Sequence, residues 1–295
     1  NVPMDSDLIA AWAAAYGQLA DILIVAEKQR YAEQAATQGG WHAWRAFKVV
    51  RKQPESSVIT SFYLQAVDGG DLPAYQPGQY VSVRVQVPEL GIKQPRQYSL
   101  SQAANGNELR ISVKRESERD ALAAGYVSNT LHEHVQEGDV LELSNPNGDF
   151  VLNSADKANV FISAGVGITP MMAMLGQVAA HNRPEATSFI HACRDEHSLS
   201  MSEAVAAIKQ RFPQLQTYLA CETQPETDLD VQTIGRLNLH TVGADLLPRE
   251  ADYYVCGPVG FMQVQYQSLL GLGIAPEQIH MEAFDTGGIA AVTAA

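Results

Sequence analysis

The sequence predicts a multi-domain protein: a leading α-helical segment, an antiparallel β-barrel, and an α/β domain built on a parallel sheet. Three observations predict it. The chain has 295 residues, too many for one ordinary domain. Its hydrophobic rhythm changes twice, from three- and four-residue steps to alternation near Trp41, then to a strand–helix rhythm after about Asn153. With 46% hydrophobic and 18% charged residues, it can bury a full core in more than one part. The breaks divide the chain into 1–40, 41–153 and 154–295.

From Asp5 to about Gln38 the pattern is helical. Ser6 or Asp7 can cap the start, and Leu8, Trp12, Ala15, Leu19, Ile22, Leu23 and Ala26 recur at helical steps until Gly39-Gly40 ends the run. One helix with a single apolar stripe is not a domain, so it has to pack on something else. Gln18 and Asp21 interrupt Leu8–Ala26, so no unbroken apolar run reaches the ~18 residues of a membrane span. The start, with Asn1, Asp5 and Asp7, lacks the basic and apolar pattern of a signal peptide. A cytoplasmic location is expected.

From Trp41 to about Leu152 the period is two. Ala46–Val50, Val58–Leu64, Tyr80–Val85 and Leu109–Val113 read as short strands, separated by turn clusters such as Asp68-Gly69-Gly70 and Gln76-Pro77-Gly78. Many short strands at this spacing predict a closed or nearly closed barrel, interrupted by one helix at about Val127–Val135. Then strands at Val160–Ile162, Ser188–Ile190, Tyr218–Ala220 and Tyr253–Val255 alternate with helices at Thr169–Ala180, Ser202–Arg211 and Val259–Leu270. That alternation predicts a parallel sheet covered on both faces.

The 33 acidic against 20 basic residues, a net charge of -13, exclude nucleic acid and anionic membranes as natural partners, since both select basic patches. Cys193, Cys221 and Cys256 lie far apart in the sequence. Neither a zinc site nor a disulfide framework is read from them, no metal site is expected, and a reducing compartment follows.

Four strings carry chemistry. Arg96-Gln97-Tyr98-Ser99, expected at the start of a barrel strand, offers a cation, flat and polar side chains and a hydroxyl donor, with Arg96 and Tyr98 on one face and Gln97 and Ser99 on the other. Gly125-Tyr126-Val127-Ser128-Asn129 opens a helix whose unpaired N–H groups suit a phosphate. Gly165-Val166-Gly167-Ile168-Thr169-Pro170 follows a strand and opens the next helix, so a pyrophosphate can approach its backbone. It is not the full dinucleotide fingerprint, because Pro170 replaces the last glycine. Cys256-Gly257-Pro258 ends a parallel strand, where α/β sheets bind ligands. Each also has a bland reading: a chance string, an ordinary helix cap, a lone Gly-x-Gly, a small apolar filler at Cys256.

In this order the strings resemble the ferredoxin reductase-like family over Trp41 to Phe284, whose barrel binds FAD and whose α/β domain binds NADH or NADPH. The resemblance narrows to flavohaemoglobins, or nitric oxide dioxygenases. It does so through Gly39-Gly40-Trp41, Tyr75–Tyr80, Val113–Glu116, Ile162–Gly167 and Tyr254–Met262, and through Ala11–Gly17, Glu27 and Tyr31, which are similar to the last globin helix. It implies an FAD-binding barrel and a nucleotide-binding α/β domain, preceded by an incomplete remnant of the globin. It implies FAD contacts at Tyr80, Arg96, Gln97, Tyr98, Ser99, Val127 and Ser128. Nucleotide contacts are implied at Gly165, Val166, Gly167, Ile168, Thr169 and Pro170, with Cys256, Gly257 and Pro258 beside the nicotinamide. Glu282-Ala283-Phe284 matches the family's C-terminal Glu-x-Phe against the flavin ring. Asp285-Thr286 stands where the family has Gly-Pro, and with Ala283 and Phe284 it is carried over as part of the cofactor-binding tail.

The resemblance gives three residues chemical roles: Ser99 as hydrogen-bond partner of the flavin edge, Glu282 as a tuner of flavin potential, and Glu27 as the support of the haem-ligating histidine. None of the 8 histidines precedes His42, so the globin ligand is not among them. The chain is therefore read as partial, with haem b expected only in a full-length protein. The implied reaction passes a hydride from NAD(P)H to FAD, then electrons to haem, which converts nitric oxide and oxygen to nitrate in a monomer. NADH is favoured over NADPH, since Asp195 and Glu196 beside Arg194 would repel a 2′-phosphate. Two alternatives are a stand-alone reductase serving a separate oxygenase, which has no use for a globin-like helix, and a flavin-bearing regulatory subunit without turnover.

Overall fold

The computed structural model describes residues 6–118, 124–181, 187–284 and 289–293. Helix α1 (Ser6–Ala36) leads. The expected single stripe is not there. Trp12, Tyr16, Ile22 and Val25 are each more than three-fifths exposed, and Ile9, Ile24 and Val25 fill the faces between the residues at helical steps. By length and composition alone this helix could cross a membrane, although no part of its apolar window is buried. Its C-terminal half touches the barrel through polar contacts. Arg30 Nη2 donates to Asn147 Oδ1 and Asp149 Oδ1, each at 3.2 Å, and Asn145 Nδ2 donates to the Gln34 carbonyl at 3.3 Å. Exposed pairs of this kind stabilise weakly.

The barrel is one antiparallel sheet of β1 (Arg45–Pro54), β2 (Ile59–Ala66), β3 (Tyr80–Val87), β4 (Ile92–Ser99), β5 (Leu109–Lys114) and β6 (Val140–Leu143), with α2 (Tyr126–Glu133) before β6. The strand order is β4-β3-β6-β1-β2-β5. Alternation buries Val81, Val83, Val85 and Val87 of β3 against Phe47, Phe62, Leu109 and Ile111. A bridge from Leu100 to Ile111 brings the end of β4 to β5 and nearly closes the curl. The sequence placed Arg96 at the start of a strand. Instead Arg96–Ser99 ends β4, because a turn at 88–91, with Gly91 at φ +64°, starts the strand at Ile92.

The α/β domain holds β7 (Asn159–Ala164), α3 (Ile168–Ala180), β8 (Thr187–Cys193), α4 (Ser202–Arg211), β9 (Gln216–Cys221), β10 (Thr233–Ile234), β11 (Asp252–Cys256), α5 (Val259–Gly271), β12 (Ile279–Glu282) and the short α6 (Ala290–Thr293). Every pairing is parallel, in the order β10-β9-β8-β7-β11-β12. One face buries Phe161, Phe189 and Tyr254 against Met171, Met174 and Leu175 of α3; the other buries Val160, Ile190 and Val255 against Met262 and Leu269 of α5. The chain builds outward from β7 to β10, then returns to β11 on the opposite side of β7. The crevice at the carboxyl ends of β7 and β11 is therefore the switch point where open α/β sheets take their ligands.

Candidate active site

A cavity of about 490 Å³ opens where the barrel meets this crevice. The barrel contributes Tyr80, Arg96, Gln97, Tyr98, Ser99, Ser112, Lys114 and Glu116, with Gly125, Tyr126, Val127 and Ser128 from the start of α2; the α/β domain contributes Val166, Thr169, Glu282, Ala283 and Phe284. Its volume suits a cofactor-sized ligand.

Register explains the barrel wall. Tyr80 opens β3 and pairs with Ser99, and Val81 pairs with Tyr98, Ser82 with Gln97, and Val83 with Arg96. Since β4 ends the sheet order, residues from both its faces border the cavity. Arg96 is exposed. Its guanidinium reaches only the Pro95 carbonyl (2.7 Å) and Gln94 Oε1 (3.4 Å), and it pairs with no carboxylate among the described residues. A second cation, Lys114 Nζ, lies 2.9 Å from Glu116 Oε1.

Helix α2 begins at Gly125 without a side-chain cap. The first intrahelical bond is Asn129 N–H to Gly125 O, so the N–H groups of Tyr126, Val127 and Ser128 are the unpaired donors of a helix start. The preceding loop is fixed by Gly125 N–H and Asn129 Nδ2, which donate to the Glu116 carbonyl at 2.8 and 2.9 Å. Arg96 and this helix start together give the cavity a strongly anion-binding wall.

Across the junction, Ser99 Oγ donates to Glu282 Oε2 at 3.4 Å, between residues 183 apart in sequence. Burial pushes the Glu282 carboxyl up to about 7, an effect that the Ser99 hydrogen bond opposes. Parallel register sets His191, Ser163, Cys256 and Glu282 in one row across β8, β7, β11 and β12. His191 Nδ1 lies 2.8 Å from Ser163 Oγ, while its Nε2 is buried without a partner.

The predicted nucleotide residues divide in two. Val166 and Thr169 line the cavity, with Thr169 Oγ1 donating to the Val166 carbonyl at 2.9 Å. Gly165 is in the left-handed region at φ +53° with open space at its Cα. Gly167, Ile168 and Pro170 are buried and do not line the cavity. Cys256 is fully buried; its thiol belongs to the core beside Phe161 and Tyr254, so the filler reading holds for its side chain. Gly257 and Pro258 also lie off the cavity, against the glycine turn: a Cβ on Gly257 would meet Ala164 Cβ at 3.2 Å. Glu27, on α1, is not in the cavity lining; it accepts the Tyr31 hydroxyl at 2.8 Å, and Tyr31 in turn feels Tyr80 of the cavity. Asp285 and Thr286 lie outside the described residues.

Ser112, Lys114 and Glu116 escaped the sequence reading as site residues. Alternation along β5 could have found the first two, since Ser112 and Lys114 share a strand face. Gly125 and Tyr126 were part of the helix-start string but were not singled out as contacts.

Residues 46–152 match the oxidoreductase FAD-binding domain family, and residues 161–267 match the oxidoreductase NAD-binding domain family. Fold and site thus define a flavin- and pyridine-nucleotide-dependent oxidoreductase. The chain is 50% identical over 289 residues to the flavohemoprotein of Bordetella pertussis, covering 96% of this chain and 71% of that protein. It is 53% identical over 283 residues to the flavohemoprotein of Chromobacterium violaceum, covering 94% and 70%. The chain belongs to the flavohemoprotein family. The FAD/NAD-binding domain of nitric oxide dioxygenase from Vibrio cholerae superposes with a TM-score of 0.75 at 38% identity, covering 81% of this chain and 98% of that one. Flavohemoglobin from Malassezia yamatoensis shares the fold, with a TM-score of 0.76 at 24% identity over 96% of this chain and 70% of that one.

Proposed function

We propose that the chain performs the reductase half of a nitric oxide dioxygenase reaction, drawing on NADH and delivering electrons to haem. The observation that carries this reading is one cavity bordered by both the Arg96–Ser99 string and the glycine turn, with Ser99 and Glu282 in contact across it. The residues fit FAD: a guanidinium without a carboxylate partner, three helix-start N–H groups and the flat rings of Tyr80 and Tyr98 form a cradle for a pyrophosphate and an aromatic ring system.

Arg96 and the start of α2 would hold the pyrophosphate, and Tyr80, Tyr98 and Phe284, the last 47% exposed, would offer their rings to the flavin. The Gly165–Gly167 turn and the start of α3 receive the nucleotide diphosphate. Bound flavin supplies the acceptor for a hydride from dihydronicotinamide and the means to release electrons singly. Ser99 Oγ–H would be shared between the flavin edge and Glu282, and the Glu282 carboxyl would hold or release a proton near neutral pH beside that edge. Glu27 acts through the haem histidine, away from the flavin cavity. Asp195 and Glu196 support NADH as coenzyme. Asp195 Oδ1 is held by Ser198 N–H at 2.8 Å and Glu196 by Thr227 Oγ1 at 2.7 Å, which fixes two negative charges beside Arg194. The same reading carries a cytoplasmic monomer, supported by three free thiols and a net charge of -13.

An anaerobic absorbance spectrum before and after addition of NADH tests the reading. Flavin bands that bleach support it. Bound flavin that NADH leaves oxidised would overturn hydride transfer and favour a regulatory subunit. Nitrate formation from nitric oxide and oxygen by the chain joined to a haem-loaded globin tests the onward step.

A further inference from the structure

The sequence offered no cysteine pair, yet the fold makes one. Cys193 ends β8, Cys221 ends β9, and the two are register partners in the parallel ladder. Their Sγ atoms lie 3.0 Å apart, although 28 residues separate them in sequence. Both are free thiols. Registered partners in a parallel ladder project to the same face, and neighbouring strands run ~4.8 Å apart, within the ~4.4–6.8 Å between Cα atoms that a disulfide spans. The sulfurs have only about 1 Å to close to reach bonding distance. Backbone bonds already hold the two strand ends in line: Glu222 N–H donates to the Cys193 carbonyl at 3.0 Å, and Thr223 N–H to the Arg194 carbonyl at 3.1 Å.

We propose that Cys193 and Cys221 are a modification site, a dithiol that a hydroperoxide oxidises to a reversible disulfide stapling β8 to β9. The Cys193 sulfur, as thiolate, attacks one peroxide oxygen and breaks the O–O bond, leaving a sulfenic acid and releasing water or an alcohol. Cys221 Sγ attacks that sulfur; the S–S bond forms, the S–O bond breaks, and a water leaves. Two electrons and two thiol protons pass to the peroxide oxygens, and an excess of small-molecule thiol reverses the step.

Cys193 is the point of entry because it is 6% exposed, whereas Cys221 and Cys256 are sealed. Burial, the Cys221 hydrogen bond and the nearby Asp195 and Glu222 carboxylates hold the Cys193 thiol well above the ordinary range. Thiolate is therefore scarce and attack is slow, so the pair responds to sustained oxidant rather than to traces. The staple would sit at the carboxyl edge of the sheet, beneath Arg194 and Glu222, and outside the cavity lining. Cys256 makes no thiol–thiol contact among the described residues and serves as the internal control.

The test treats the folded chain with hydrogen peroxide, quenches it, alkylates it under denaturing conditions, and reads intact mass and digested peptides. The expected product has lost two hydrogens, carries one alkylated cysteine, Cys256, and yields a cross-linked peptide pair containing Cys193 and Cys221 that dithiothreitol separates. Cys221→Ser should leave Cys193 oxygenated but unlinked, and Cys193→Ser should leave Cys221 unoxidised. A melting curve of each variant confirms that it is folded. Oxygen additions without a cross-link in the parent chain, a cross-link to Cys256, or three alkylatable thiols after peroxide would each overturn the proposal.

Discussion

The two walls of the cavity are built on opposite plans. On the barrel side, Arg96, Gln97 and Tyr126 are exposed side chains that the barrel core does not use. On the α/β side, Val166 and Thr169 border the cavity from a turn whose Gly167, Ile168 and Pro170 are buried off the cavity, with Cys256 packed behind them. The barrel side offers exposed side chains that its core can spare, whereas the glycine turn on the α/β side is held by buried residues that the fold requires. Substitutions on the first should therefore change ligand binding at nearly constant stability, and substitutions on the second should act on stability first.

The largest effect expected is at Gly167. A Cβ there would lie 2.3 Å from the Cys256 carbonyl oxygen and 2.5 Å from its carbon, backbone atoms that cannot swing aside. Gly167→Ala should cost about 3 kcal/mol or more, read as a lower denaturation midpoint. Two residues earlier, Gly165 at φ +53° has open space around it, so Gly165→Ala should cost only ~1–2 kcal/mol from the left-handed backbone while weakening NADH binding. Equal losses at the two glycines would break the distinction between packed and ligand-facing parts of this wall.

Next in size is a pH effect rooted in the same wall. His191 is fully enclosed, and burial pushes its pKa down to about 4 from ~6.5 in an unfolded chain. Between those values the unfolded chain takes up a proton that the native chain refuses. Stability is thus fully present above ~6.5 and falls as pH drops toward 4, by on the order of 3 kcal/mol. His191→Asn should remove this slope in urea titrations across that window. In the barrel, His132 is also held down by burial, but its Nε2–H donates to the Val113 carbonyl, 2.8 Å away, which acts in the opposite direction, and it should contribute a gentler slope. An unchanged slope in the His191 variant would place the acid sensitivity elsewhere.

The barrel wall answers differently. Arg96→Ala removes a charge-assisted contact to the flavin pyrophosphate, worth roughly 1.5–3 kcal/mol, or about ten- to a hundredfold in FAD affinity. Its melting curve without flavin should stay within about 0.5 kcal/mol of the parent, as for an exposed position. Arg96→Lys should recover part of the binding, because the charge returns but the planar fork does not. A large loss of stability in the flavin-free Arg96→Ala chain would show that the barrel wall too is part of the fold.

What could be read from the sequence follows the same division. Arg96–Ser99 and Gly165–Pro170 are contiguous strings, so their chemistry showed directly. The alternation of β3 and the α3, α4 and α5 patterns reflect burial on one face or both, which periodicity reports. The first half of β4 was illegible because Lys93 and Pro95 are edge-strand residues, and β6, β10 and β12 span four residues or fewer. Contacts made by register left no trace in spacing: Ser99 with Glu282, Cys193 with Cys221, and His191 with Ser163. The apolar steps of α1 suggested a stripe because only the matching positions were counted; Ile9, Ile24 and Val25 complete the circle.

The smallest change expected in activity lies where the two walls meet. Burial raises the Glu282 carboxyl to about 7, and the Ser99 hydroxyl, as a donor to the anion, acts in the opposite direction. Its native pKa exceeds the unfolded value of ~4.3, so the native chain binds a proton that the unfolded chain lacks, and the resulting stability declines as pH rises from there to about 7. In function, Glu282 is neutral below that midpoint and anionic above it, so the charge beside the flavin edge changes near neutral pH. The rate of flavin reduction by NADH should show an inflection near that midpoint. Glu282→Gln, neutral at every pH, should abolish the inflection while changing the rate at low pH only a few-fold. Ser99→Ala should move the midpoint upward, because the anion loses its donor. An inflection that survives in Glu282→Gln would assign the titration to another group. A midpoint that stays in place in Ser99→Ala would mean that the contact between the walls is geometric only, and that the barrel does not influence the charge carried by the α/β wall.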